Sequence, residues 1–219
     1  MTTGRRLVWL ATAVVAGVLV AGCGAEDGSA PAGTPLPTNP TTTASAAPTA
    51  SVTDDVTKAD VDAADLKPCP TSDATIPAVP NGLPDVTLDC LGRGPEVRLA
   101  GLRGKPMVVN VWASWCAPCR KELPVFGEVS RATGDSVQFL GIDLADDRLS
   151  ALRFASASKM GFPSVQDPNS TVRAGLRLVG VPTTLLVRPD GTIAGRIGIV
   201  ADAQALRDAI DRYLNVRVP

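Results

Sequence analysis

Met107-Val108-Val109-Asn110-Val111-Trp112-Ala113-Ser114-Trp115-Cys116-Ala117-Pro118-Cys119 is the stretch on which the reading of this chain turns. Its first seven residues are a mostly apolar run of strand length, led in by Lys105-Pro106. Pro118 to Arg131 reads as a helix, with Leu123, Phe126 and Val129 on a common face. Two cysteines therefore fall between a buried strand and the first turn of a helix. Residues three apart approach one another in such a turn, so Cys116 and Cys119 can close a small disulfide. The first sulfur sits where backbone N–H groups are unpaired and the helix dipole is positive, and both features favour the thiolate. Pro118 suits a first turn because the N–H it lacks is not needed there. In this context C-x-x-C reads as a redox pair. The spacing by itself also fits an inert disulfide or half of a zinc site, although no other cysteine pair in the chain has ligand-knuckle spacing.

Outward from this stretch the pattern alternates. Val137 to Leu144 reads as a second buried strand, and Asp147 to Lys159 as a helix with Leu149, Leu152 and Phe154 as its apolar positions. Phe162 to Gln166 is at most a short strand. Thr183 to Arg188 and Thr192 to Ile197 flank the turn sequence Pro189-Asp190-Gly191 and form a hairpin. Ala203 to Leu214 closes the chain as an amphipathic helix. Strands alternating with helices, then a hairpin and a last helix, give an α/β fold with a central mixed sheet covered by helices.

The 219 residues carry a net charge of −1, 45% of them are hydrophobic, and none is histidine. That length fits one domain with appendages. Without histidine there is no Ser-His-Asp or Cys-His catalysis and no His-ligated metal. The near-neutral charge gives no general electrostatic reason to bind nucleic acid. Arg5 and Arg6 precede an apolar run from Leu7 to Ala21, which ends Val20-Ala21-Gly22-Cys23. This has the form of an export signal over residues 1–22. A mostly apolar run of fifteen residues falls short of the about 20 needed to span a bilayer, although a retained signal-anchor stays open on length alone. Small residues followed at once by Cys23 resemble a bacterial lipobox, which implies cleavage before Cys23 and a lipid on its sulfur. Residues 23–67 are rich in Thr, Ala, Ser and Pro, and residues 24–67 carry a net charge of −5. Such a segment buries too little apolar surface to offset its ordering entropy and reads as a disordered tether, with a span of roughly 35 Å. Residues 68–219, net +2, are the folded domain. Cys69 and Cys90 are too far apart for a C-x-x-C pair and read as a structural disulfide stapling the segment before the core, with an auxiliary redox pair as the alternative.

The ordered motifs resemble the thioredoxin superfamily, and within it the TlpA/ResA branch of membrane-tethered thiol–disulfide oxidoreductases, also called redoxins. Trp115-Cys116-Ala117-Pro118-Cys119 is similar to the family's active-site motif. Pro124, five residues after Cys119, falls where its helix carries a proline. Gly180-Val181-Pro182-Thr183-Thr184 is similar to its cis-proline loop, and Pro189-Asp190-Gly191 and Gly195-Arg196 to its final hairpin. Asp143 to Gly175 resembles the segment this branch inserts centrally, and the likeness spans about residues 95–215. The resemblance implies a thioredoxin-like fold, and a reaction in which Cys116 attacks or is attacked and Cys119 resolves the mixed disulfide. Pro182 would be cis and face the pair, Val181 would offer its backbone to a client strand, and Trp115 would flank the reactive sulfur. Thioredoxin usually has a buried Asp where this chain has Asn110. The branch often pairs Asn there with a Glu three residues after the second cysteine, which is Glu122 here. Glu122 is then a candidate to tune the thiols and move protons, against a plain solvated helix residue in Arg120-Lys121-Glu122.

The implied setting is the outer face of a cell membrane. The clients would be thiols or disulfides of exported proteins such as apocytochrome c, with a CcdA-type thiol transporter as electron donor and no cofactor or metal beyond the Cys116/Cys119 pair. A reductase linked to cytochrome c maturation is the leading form, and an oxidase or isomerase of exported proteins the alternative. A peroxiredoxin-type thiol peroxidase would need a Thr three residues before its reactive cysteine, and Ala113 stands there.

Overall fold

The computed structural model describes residues 56–219. The expected signal sequence, Cys23 and most of the tether lie outside the described residues. The sheet has seven strands in the order β2-β1-β5-β4-β3-β6-β7. At its centre β3 (Met107–Trp112) pairs in parallel with β4 (Gln138–Leu144), and β4 in parallel with β5 (Ser164–Asp167). On the other side β6 (Thr183–Val187) runs antiparallel to β3, and β7 (Ile193–Ile197) antiparallel to β6. The far edge is β1 (Thr87–Cys90) and β2 (Val97–Arg98), with β1 antiparallel to β5. The sheet is mixed and helix-covered, the thioredoxin-like architecture expected from the sequence.

β3 is buried along its whole length because both faces of the sheet are covered. Its side chains alternate between faces. Val108 and Trp112 point to a core shared with Leu123 and Phe126 of α2 (Ala117–Thr133), Leu152 of α3 (Arg148–Ala157) and Leu206 and Ile210 of α5 (Ala203–Leu214). Met107, Val109 and Val111 point to the other core, with Leu83, Val97, Leu140, Leu185 and Val172 of the short α4 (Val172–Gly175). Asn110 lies on the first of these faces, in register with the buried side of α2. The β6–β7 turn closes at Gly191, whose φ of +87° is open to glycine at little cost.

The tether was expected to run to residue 67, but the fold begins earlier. Lys58–Ala63 forms α1, closed by a capping box in which the Thr57 side chain accepts from the Asp60 N–H and Asp60 reaches back to the Thr57 N–H. Ala64 and Leu66 are buried, and Val56 and Val61 pack against the same core. The composition hid this because only four apolar side chains make the contact, and their partners lie on elements distant in sequence. The edge strands β1 and β2 escaped periodicity for a similar reason, since four and two residues carry too little pattern.

Candidate redox site

β3 ends at Trp112, and the chain turns through Ala113-Ser114-Trp115 into α2 with Cys116 as its N-cap. Cys116 and Cys119 are joined by a disulfide, with their Cα atoms 5.3 Å apart. The Cys116 sulfur also accepts the Cys119 N–H at 3.2 Å. One of the helix's open donors thus points at the sulfur, as the sequence position requires. Cys116 keeps 4% of its surface and Cys119 none, so both are buried and only the first retains any access to solvent. Pro118 occupies the first turn, and Pro124 stands inside α2 on its exposed side.

Three large apolar side chains are exposed among the described residues: Trp115, Val179 and Ile199. Val179 and Ile199 line a groove of about 430 Å³ with Pro118, Val181, Pro182 and Ile197. The Val181–Pro182 peptide is cis, and Pro182 is buried while Val181 is half-buried. The structure therefore brings Pro118 of the dithiol turn together with Val181 and Pro182. Trp115 donates from its indole N–H to the Ala145 carbonyl at 3.0 Å and keeps more than half its surface free.

Glu122 is not a solvated helix residue. It is fully buried one turn beyond Cys119. One carboxylate oxygen accepts from Asn110 Nδ2 at 3.0 Å, the other from the Val200 N–H at 2.9 Å. Asn110 also donates to Thr184 Oγ1 at 3.0 Å, which ties β3, β6 and α2 through one polar core. Burial pushes the Glu122 carboxyl above its ordinary range, and the hydrogen bonds from Val200 and Asn110 only partly oppose this. A carboxyl buried in this way keeps its proton to a higher pH than a solvated one.

Cys69 and Cys90 form a second disulfide, Cα–Cα 6.0 Å, which pins the segment before β1 to the β1–β5 edge. Cys69 and Cys90 both lie beside the Ser164 carbonyl, away from the groove. Among the described residues no group of His, Cys, Asp or Glu is placed to hold a metal ion. Periodicity did not find two groups near the dithiol. Asp146 accepts from Ser114, and Asp143 is fully buried on β4. The available signal was an acid inside the apolar run Phe139-Leu140-Gly141-Ile142-Asp143-Leu144.

Residues 79–196, just over half of the chain, match the AhpC/TSA family. The chain is 32% identical over 123 residues to the thiol-disulfide oxidoreductase ResA of Geobacillus kaustophilus, covering 56% of this chain and 70% of that protein. It is 33% identical over 112 residues to the thiol:disulfide interchange protein DsbE of Pseudomonas aeruginosa, covering 51% and 61% of the two chains. The crystal structure of a DsbF homologue from Corynebacterium diphtheriae superposes with a TM-score of 0.54 at 29% identity, over 65% of this chain and 91% of that one. A disulfide-capable pair capping the helix after the central strand, in a sheet of this topology, thus accompanies sequence likeness along most of the domain, and the chain belongs to the AhpC/TSA family, among its thiol–disulfide oxidoreductases of the ResA and DsbE type.

Proposed function

We propose that this protein is an extracytoplasmic reductase of exported-protein disulfides, tethered to the outer face of the membrane through a lipid on Cys23. The observation that carries the reading is the disulfide-linked pair at the head of α2, in which Cys116 keeps a trace of surface and Cys119 none, with Pro118 between them lining an apolar groove. In the reduced protein the Cys116 thiolate attacks one sulfur of a client disulfide, and the second client sulfur leaves as a thiolate. Cys119, deprotonated, then attacks the Cys116 sulfur of the mixed disulfide and expels the first client sulfur. Two electrons pass to the client, the Cys116–Cys119 bond forms, and two protons pass to the client thiols. Glu122 lies one turn from Cys119 and is the buried group suited to take up the Cys119 proton. Trp115, next to Cys116 in the chain, and Val179 and Ile199, which share a groove with Pro118, offer apolar contact, and the Val181–Pro182 edge offers backbone groups to an extended segment. A membrane thiol transporter of the CcdA type would return the dithiol to its reduced form. Apocytochrome c before haem attachment is the proposed client, a reading supported by the resemblance to the TlpA/ResA branch. Ala113, buried three residues before Cys116, lacks the hydroxyl a peroxidatic site uses.

Cys119→Ser tests the assignment. This variant is expected to accumulate mixed disulfides between Cys116 and envelope proteins, cytochrome c precursors among them, which disappear on adding Cys116→Ala. Reduction of a model disulfide without trapping of any exported client would overturn the client reading. A Cys116/Cys119 potential as oxidising as the strongest known dithiol oxidants, about −120 mV, would reverse the direction.

A further inference from the structure

Beneath the dithiol turn lies a pair of carboxyl groups that thiol exchange does not itself require. Asp143, at the end of β4, is fully buried, and neither of its oxygens receives a hydrogen bond from any described residue. The Asp146 carboxyl stands within hydrogen-bonding reach of it. Both oxygens of Asp146 are engaged on the site loop. One accepts the Ser114 N–H at 2.5 Å, the other the Ser114 hydroxyl at 2.9 Å and the Asp147 N–H at 3.0 Å. The adjacent Ala145, held at a φ of +54°, accepts the Trp115 indole N–H. Ser114 and Trp115 immediately precede Cys116, so this loop braces the turn that presents the reactive sulfur.

An ionised carboxylate buried without a donor costs several kcal/mol. A carboxylic acid in the same place can donate one hydrogen bond, and the acceptor within reach is Asp146. The charges acting on Asp143 come from Asp146, Asp147 at the start of α3 and Asp167 at the end of β5, all acidic. Its neighbours across the sheet are Trp112 on β3 and Gln166 on β5. Arg120 of α2 is engaged with the Ser114 carbonyl, and Arg148 of α3 with the carbonyls of Cys90 and Leu91. We propose that Asp143 is a positioning residue for the dithiol: as a neutral acid it donates to Asp146, and this carboxyl–carboxylate pair holds Ser114 and thereby sets the orientation of Cys116. Burial, reinforced by Asp146, Asp147 and Asp167, pushes the Asp143 carboxyl up to about 9, so Asp143 keeps its proton through neutral pH. Ionisation of Asp143 at higher pH places two charges together and loosens the brace. The proposal deepens the oxidoreductase reading, but its main readout does not depend on turnover.

Carbon-13 titration of the aspartate carboxyls in the full chain is the first test. One signal, absent from Asp143→Asn, is expected to stay in the acid form through pH 7; titration of that signal below about pH 6 overturns the proposal. The second test compares Asp143→Ala with Asp143→Asn, whose amide NH₂ keeps a donor that does not titrate. In Asp143→Ala both Ser114 amide exchange and Cys116 alkylation in the reduced protein are expected to change at least about threefold, with Asp143→Asn restoring them towards wild type. A change of less than threefold in the Ala variant, or no restoration by Asn, overturns the proposal. Should the Ala variant fail to fold, the carboxyl titration still decides. Loss of client trapping with the titration as expected would count against the proposed function and not against the brace.

Discussion

Removing the charge at position 122 while keeping its shape is the sharpest perturbation of this site. Glu122 and Cys119 are three apart on α2, about 5–6 Å between Cβ atoms, and both are fully buried. Two like charges about 6 Å apart at an effective dielectric of about 20 repel by ~3 kcal/mol, or about two pKa units. In the reduced protein a Glu122 carboxylate therefore holds the Cys119 thiol up, and a Cys119 thiolate holds the Glu122 carboxyl up, so the two titrate as a coupled pair. Glu122→Gln should leave the fold intact. The new amide keeps its carbonyl for the Val200 N–H, and Asn110 can turn over to present its Oδ1, which has no partner among the described residues, to the new NH₂ group. The expected outcome is a fall of about two units in the apparent pKa of Cys119, with a smaller fall at Cys116, read from thiolate absorbance and alkylation rates across pH in the reduced protein. Stability moves with a definite sign. A carboxyl whose folded pKa is raised binds a proton on folding, so wild type loses stability as pH rises from the unfolded value of about 4.3 to the raised folded value. The Gln variant lacks that loss and should gain on wild type through the window. A folded Gln variant whose two thiol titrations both stay within about half a unit of wild type would refute the coupling.

Two further predictions concern the frame that holds the site. The Cys69/Cys90 bridge closes a loop of sequence separation 21, for which chain entropy gives roughly 3 kcal/mol. The Cys69→Ala/Cys90→Ala protein should lose about that much in denaturant unfolding and keep its exchange activity per folded molecule; a large loss of activity without loss of stability would make this pair a second redox centre. At Gly141 on β4 an added methyl would lie 2.5 Å from Ser164 Oγ and 2.7 Å from Trp112 Nε1, atoms that share a hydrogen bond. Gly141→Ala should cost about 1–3 kcal/mol and shift the Trp112 fluorescence, and an unchanged unfolding midpoint would show that this corner of the core has slack.

How far the sequence reached depended on how locally each feature is encoded. The β3–α2 unit was legible because a run of buried β-branched residues, a capping cysteine and a first-turn proline are all written within a few positions. α5 was legible from its apolar stripe, and the β6–β7 hairpin from Pro189-Asp190-Gly191. The start of the domain was misplaced because α1 is held by a few apolar contacts to partners far along the chain. Glu122 looked like one more charge in a helical run, since the elements that bury it arrive from β3, β6 and the segment before α5.

The order of elements, the dithiol and its place at a helix terminus follow from the sequence alone, because short-range sterics, periodicity and N-terminal helix polarity depend only on neighbouring residues. Which cysteine keeps a trace of surface, which carboxyls lose their water and which backbone groups they meet in exchange were decided by tertiary packing. Solvation and hydrogen bonding in a core are set by residues brought together across the sheet: Asn110 with Glu122, Val200 with Glu122, Asp143 beside Asp146. That is why the same side chain, glutamate on a helix, is a solvated charge in one fold and a buried acid in this one.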